Sequence, residues 1–194
     1  LDYSVHAREL LLKAKLVDSL SEAISEEDIR IALSRRSGQT RKRDLWLRDL
    51  PNHLLPYRER NIALVFGREE SGLTNEEVRQ CDMICSIPSA PAFPSLNLSH
   101  AVAVTLSGIY SCFQNEEPPE LNPASREEFD EMMRMIVDTL EGLDFFKHAP
   151  KERLGSYIHK LLSRSQLDGN DTRAIRNIFN RINAITRRYK DNLD

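Results

Sequence analysis

The chain has 194 residues, 40% of them hydrophobic and 29% charged, with a formal net charge of −3. These values fit a globular chain of one compact domain, or one domain with a small appendage, and no apolar run reaches membrane-spanning length. The three cysteines, Cys81, Cys85 and Cys112, lack framework spacing, and the five histidines form no metal-spaced pair, so neither disulfides nor a bound metal are expected.

In chain order, Leu10, Leu11, Ala14 and Val17 recur at helical spacing, and a second short helix is expected over Ser19 to Ile24. Ile29 to Leu33 reads as a short strand opening into a basic loop. Ile62 to Phe66, I-A-L-V-F, is a continuous apolar run ended by Gly67, the pattern of a parallel strand covered on both faces. Thr74 and Glu77 form a T-x-x-E capping box, which starts a helix near Asn75. Met83 to Ile87 reads as a further buried strand, stopped by Pro88. Asn97 to Phe113 has apolar residues on more than one face, so this helix is expected in the core or in a subunit interface.

Residues 115–124 are polar and proline-rich and read as a linker between a first unit, 1–114, and a second, 125–194. Ser125 and Glu128 make another capping box. Three amphipathic helices are expected after it, marked by Phe129 to Leu140, by Leu154 to Leu162 and by Ile175 to Ile185. Alternating α/β followed by all-α is the expected class. Charge is segregated along the chain. Seven basic residues and one acid lie between Arg30 and Arg48, and eleven basic residues and three acids between Lys147 and Lys190. Such clustering builds local positive surface on a nearly neutral protein.

Two segments place glycines and small polar residues where apolar strands end, the position at which open α/β sheets collect ligands. They are F-G-R-E-E-S-G-L-T-N-E-E, from Phe66, and I-P-S-A-P-A-F-P-S-L-N-L-S-H-A, from Ile87. Neither is a dinucleotide fingerprint or a P-loop. Within them, F-G-x-E-x-x-G-L and I-P followed by S-L-N-x-S-x-A together resemble motifs two and three of the SpoU/TrmH branch of SPOUT methyltransferases. D-F-F and L-L-S-R-S-Q-L-D, further on, are similar to the helical appendage of the TrmJ-type members.

The resemblance implies a parallel sheet with a C-terminal trefoil knot and a small α-helical domain behind it. It implies S-adenosylmethionine as cofactor, with S-adenosylhomocysteine as product, held by Leu33, Ser34 and Arg35, by Gly67 and Arg68, and by Ile87, Pro94, Ser95 and Leu96. Glu69, Ser95 and Asn97 are the implied active-site residues. Glu69 takes an architectural role, and Ser95 approaches the ribose without being a covalent nucleophile. The family's first loop often reads G-T-[TS]-A-R, whereas this chain has A-L-S-R-R-S-G-Q-T-R. Its extra arginines, Arg35, Arg36, Arg41 and Arg43, are candidates for RNA phosphates, as are Arg173, Arg176, Arg181, Arg187 and Arg188 further on.

The expected activity is ribose 2′-O-methylation of tRNA, at the first nucleotide of the anticodon loop, by a cytoplasmic homodimer, or in an organelle if a transit peptide was removed. The rivals are the same reaction on rRNA and an RNA-binding homologue without catalysis. An arginine of motif one serves catalysis in the family. Leu1 falls after that point, so residues are expected to precede it, and the chain as it stands is expected to be weakly active or inactive.

Overall fold

The structure is a computed structural model that describes residues 8–35, 43–90, 92, 95–148 and 150–191, with the side chains of 147, 148 and 189–191 left aside. Four strands form one sheet: β1 (Ile29–Leu33), β2 (Leu45–Trp46), β3 (Ile62–Phe66) and β4 (Met83–Ser86), in the order β2-β4-β1-β3. Every pair is parallel. Ile31 registers with both Leu64 and Met83, and Trp46 registers with Ser86. Parallel pairing needs crossover connections, and here elements cover both faces of the sheet, so the strands are mainly apolar on both sides, with Arg30 the one charge in β1.

Each face carries its own core. On one, Ile29, Ile31, Leu33, Met83 and Cys85 pack with Leu50, Leu54, Tyr57 and Ile109. These last belong to α3 (Leu50–Leu54), to the 3-10 turn Leu55–Tyr57 and to the long helix α5 (Leu98–Asn115). On the other, Ala32, Val65 and Ile84 pack with Ile24, after α2 (Leu20–Ala23), and with Val78 of α4 (Asn75–Arg79). The cysteines follow from this packing. Burial pushes the Cys81 and Cys85 thiols up to about 12, which leaves them protonated and inert. The first helix, α1 (Arg8–Lys13), is shorter than its periodicity predicts. It buries nothing, and Leu16 beyond it is fully exposed.

The second unit contains α6 (Arg126–Gly142), α7 (Lys151–Ser163) and α8 (Gly169–Asp191). Met132, Met133 and Ile136 are its buried centre, surrounded by Phe129, Leu140, Ile158, Leu162, Ile175 and Phe179. The predicted capping box is formed, with Ser125 Oγ accepting from Glu128 N and Glu128 accepting from Ser125 N. The linker is less free than its composition implies. Pro123 is fully buried, Ala124 N donates to Leu167 O, and Arg60 donates to Asn122 Oδ1 and to Pro123 O. Its last residues are docked by these contacts.

Three aspartates, each directly ahead of a strand, join the two units. One oxygen of each accepts a backbone N–H at the neighbouring strand: Asp28 from Asn61 (3.1 Å), Asp82 from Arg30 (2.9 Å) and Asp44 from Ile84 (2.9 Å). The other oxygen faces the helical unit: Asp28 the Arg126 amide (3.4 Å), Asp82 the Arg126 guanidinium (2.9 Å) and Asp44 Arg164 (3.3 Å). Read through the strand registers, the row climbs diagonally from the amino end of β1 toward the carboxyl end of the sheet. The trefoil threading expected in the chain after β4 runs through residues 91, 93 and 94, which lie outside the described set.

Candidate active site

The carboxyl ends of β1 and β3 and the chain that follows β4 surround one open cleft of about 330 Å³. Three segments far apart in sequence supply its walls: Leu33 to Arg35, Phe66 to Leu73, and Ile87 with Ser89, Ser95 and Leu96. Leu98 and Ala101, from the first turns of α5, close one side. A volume of this size suits a small-molecule ligand.

The first segment continues the sheet. Ser34 N donates to Cys85 O (2.9 Å), and Ser86 Oγ donates to Ser34 O (2.7 Å). These bonds fix Ser34 and leave exposed Arg35 at the rim of the cleft. The second segment is a tight reversal. Gly72 N donates to Arg68 O (2.8 Å), and Gly72 has a φ of +66°, a conformation that glycine adopts without steric penalty. A Cβ on Gly67 would lie 2.3 Å from the Gly72 carbonyl carbon and 2.4 Å from Leu73 N. The glycine is therefore required by the loop's own backbone, a more local reason than approach to a ligand.

Arg68 lines the cleft, but its guanidinium is held by Glu77 at 3.0 Å. Glu77 is also the reciprocal member of the Thr74 capping box, and the Thr74 backbone N–H, aided by Arg68, holds its carboxyl below the usual range. The loop is thus tied to the first turn of α4. Glu69 and Glu70 are exposed at the cleft wall, opposite in charge to Arg35.

In the third segment, Asn97 is the N-cap of α5. Its Oδ1 accepts from Ser99 N (3.0 Å) and Ser99 Oγ (2.8 Å). Asn97 therefore does not line the cleft but anchors Ser95 and Leu96, which do. Of the residues named from sequence, Leu33, Ser34, Arg35, Gly67, Arg68, Glu69, Ile87, Ser95 and Leu96 are brought together, while Pro94 lies outside the described residues. Glu70, Ser71, Ser89 and Ala101 also line the cleft and were not singled out from sequence. Glu70 and Ser71 sit inside the first quoted motif, and Ala101 is the last residue of the second, carried to the cleft by the first turn of α5.

The arginines proposed for phosphate are spread more widely. Arg36 and Arg41 lie outside the described residues, and Arg43 stacks over Trp46, its guanidinium carbon 3.4 Å from the ring centroid. Arg173, Arg181, Arg187 and Arg188 are exposed on α8. Arg176 instead turns toward α6 and pairs with Glu131 at 2.7 Å. On α5, Val104, Leu106 and Tyr110 remain about half or more exposed, so this helix is not wholly buried within one chain. Among the described residues there is no group of acidic, His and Cys side chains that would hold a metal ion, and no helix is long and apolar enough to cross a membrane.

Residues 1–107 match the SpoU rRNA Methylase family. The chain is 34% identical, over 91% of its length and 78% of the relative's, to the tRNA (cytidine-2'-O-)-methyltransferase TrmJ of Methanocaldococcus jannaschii. It is 27% identical to the tRNA (cytidine/uridine-2'-O-)-methyltransferase TrmJ of Yersinia pestis, covering 92% of this chain and 73% of that one. Among solved structures, TrmJ from Z. mobilis superposes with a TM-score of 0.66 at 22% identity, covering 92% of this chain and 77% of that one, a likeness of fold. A probable methylase family protein from Haemophilus influenzae superposes at 0.54 with 26% identity, over 93% and 77%.

Proposed function

We propose a function from the premise that the chain belongs to the SpoU rRNA Methylase family: it is a ribose 2′-O-methyltransferase of the TrmJ type that acts on tRNA. The finer reading is methylation in the anticodon loop, at its first nucleotide, with S-adenosylmethionine as methyl donor, by a cytoplasmic homodimer. The observation that carries it is the convergence of three separate strand-end segments, two of them bearing the family motifs, on one cleft.

The cleft suits that donor in size and in charge. The exposed carboxylates of Glu69 and Glu70 favour a cation, and Arg35 on another wall suits a carboxylate. When bound, S-adenosylmethionine supplies the electrophilic methyl. The backbone groups of Ile87 and Leu96 serve the adenine edge, while Leu33, Ser34, Arg35, Gly67 and Pro94 complete the cradle. Arg68 contributes by position, since its side chain is committed to Glu77.

Transfer to a ribose oxygen is an in-line displacement, so alignment supplies much of the rate. Ser95 has a hydroxyl at the cleft and orients the ribose; Asn97 holds Ser95 in place through the α5 cap. Glu69 orders the loop at the cleft mouth. Arg36, Arg41, Arg43, Arg173, Arg176 and Arg187 serve the RNA backbone. The knot expected after β4 gives the cradle its rigidity. Leu106 and Tyr110, one turn apart on α5, form the dimer contact with Val104. A Leu106→Glu/Tyr110→Glu variant should then sediment as a monomer.

Isothermal calorimetry with S-adenosylhomocysteine on the folded protein should show one site per chain. Mass-spectrometric mapping of methylated riboses after incubation with tRNA and rRNA then identifies the substrate. No uptake of the nucleoside would end the methyltransferase reading, and methylation confined to rRNA would overturn the choice of tRNA.

A further inference from the structure

The sole tryptophan of the chain, Trp46, stands at the carboxyl end of the edge strand β2, in register with Ser86 and one residue short of the level of Ile87. Ile87 lines the cleft, and adjacent strands lie about 5 Å apart. The indole therefore sits at the level of the cleft, one strand beyond it. It belongs to none of the three apolar cores, although its neighbour Leu45 packs into one. An indole that is only partly buried and serves no core needs another reason to be there.

Arg43 covers one face of this ring at 3.4 Å, and Arg43 is itself exposed. Of the two residues between them, Asp44 is rigidly held. Asp44 exchanges both backbone and side-chain hydrogen bonds with Ile84, and its second oxygen pairs with Arg164 of the helical unit. Arg164 also sits close in sequence to Gln166, which donates to the His53 carbonyl at 2.7 Å. The strand that carries the stack is thus clamped by the sheet on one side and by the helical unit on the other.

We infer that Arg43 and Trp46 form a stacking platform for an unpaired nucleobase of the RNA, beside the nucleotide whose ribose enters the cleft. A planar guanidinium fixed on an indole presents a flat, cationic outer face of the kind that splayed-out bases stack on. A phosphate contact asks only for charge; a platform needs the plane as well. A base inside a duplex has both faces covered by its neighbours, so the platform accepts looped or single-stranded RNA and rejects helical RNA. This inference rests on the methyltransferase reading for the direction in which the RNA lies, but the stack itself is testable by binding alone.

Having one tryptophan supplies the probe. A short RNA stem-loop with an unpaired loop and a fully paired RNA of equal charge are titrated while Trp46 emission is followed at raised salt. The stem-loop should quench the emission saturably and the duplex should not. Arg43→Lys, which keeps the charge and loses the plane, should weaken stem-loop binding by about fivefold or more while leaving the salt dependence unchanged. Trp46→Leu, followed by filter binding, should do the same. Uptake of S-adenosylhomocysteine, measured on each variant, should stay at the parent value and reports folding independently. Equal quenching by both RNAs, or an Arg43→Lys protein that binds as the parent does, would overturn the platform. Failure of the parent to take up the nucleoside would instead count against the methyltransferase reading.

Discussion

At the amino ends of the strands, Asp28, Asp82 and Asp44 are bonded on both oxygens, and the Asp82 side chain is only 4% exposed. At the carboxyl ends, Arg35, Glu69, Glu70 and Ser95 stand in solvent around an open cleft. The same sheet is sealed by charge pairs at one end and left with exposed polar groups at the other. Polar groups in the sealed end act on stability, because a buried charge that loses its partner is strongly unfavourable. Polar groups at the open end act on binding, and their removal leaves the fold largely intact. The helical unit belongs to the sealed end, and the Asp44–Arg164 pair reaches from it toward the open one.

The largest effect that separates the two ends is expected from Arg126→Met. It leaves Asp82 buried with its outer oxygen deprived of the guanidinium, and should cost about 3–5 kcal/mol in urea unfolding. Adding Asp82→Asn should recover part of that loss, whereas a loss that persisted unchanged would assign the effect to packing. At the open end, Gly67→Ala forces the reversal apart against backbone atoms at 2.3 Å. Overpacking of this kind costs about 1–3 kcal/mol, and calorimetry should detect no nucleoside uptake by a protein that is still folded. Thr74→Ala removes half of the α4 capping box and should cost about 1 kcal/mol. Ser125→Ala in the helical unit should cost the same but, unlike Thr74→Ala, should leave nucleoside affinity untouched.

The smallest effect concerns pH. Burial lowers the His159 pKa below its ordinary 6.5, outweighing the attraction of Asp82 at 3.4 Å and of Asp130, while Arg126 and Arg30 oppose the proton. Burial lowers His53 in the same way. With folded values below unfolded ones, the unfolded chain binds more protons, so stability rises with pH. It should be complete above about 6.5, the unfolded value, and fall as pH drops below it until the folded histidines titrate. His159→Gln should flatten that slope in thermal unfolding between about pH 5.5 and 7.5, roughly one unit either side of the ordinary value.

Much of this molecule is legible in its sequence because the signals are local. The runs Ile29–Leu33 and Ile62–Phe66 are strands at the predicted bounds, and both capping boxes start helices where Thr74–Glu77 and Ser125–Glu128 place them. The fourth strand ends one residue early, at Ser86, where its pairing with the two-residue β2 also ends. Strand β2 and helix α3 were not foreseen. Two residues, Leu45 and Trp46, carry no periodicity, and α3 is only five residues long, with Pro51 in its first turn and Leu50 and Leu54 packed in the core beside Ile109 of α5. The aspartate row has a sequence signature, an Asp directly before an apolar run at Asp28-Ile29, Asp44-Leu45 and Asp82-Met83, which acquires meaning only once the strands are paired. For the cleft, the motif resemblance brings in the three strand-end segments. The commitment of Arg68 to Glu77 is a tertiary fact that no local pattern encodes.

The strand order β2-β4-β1-β3 also bears on how the chain is made. Among the described strands β1 is made before both of its neighbours, β3 and β4, which flank it in the finished sheet. Its second neighbour is complete only at Ser86, 53 residues after Leu33 (86 − 33). At translation rates of about 5–20 residues per second, the nascent strand waits roughly 3–10 s with an edge unpaired. Isoleucine and leucine side chains on such an edge invite pairing with other nascent chains, so yield during expression should depend on holdase chaperones more than the stability of the finished protein implies.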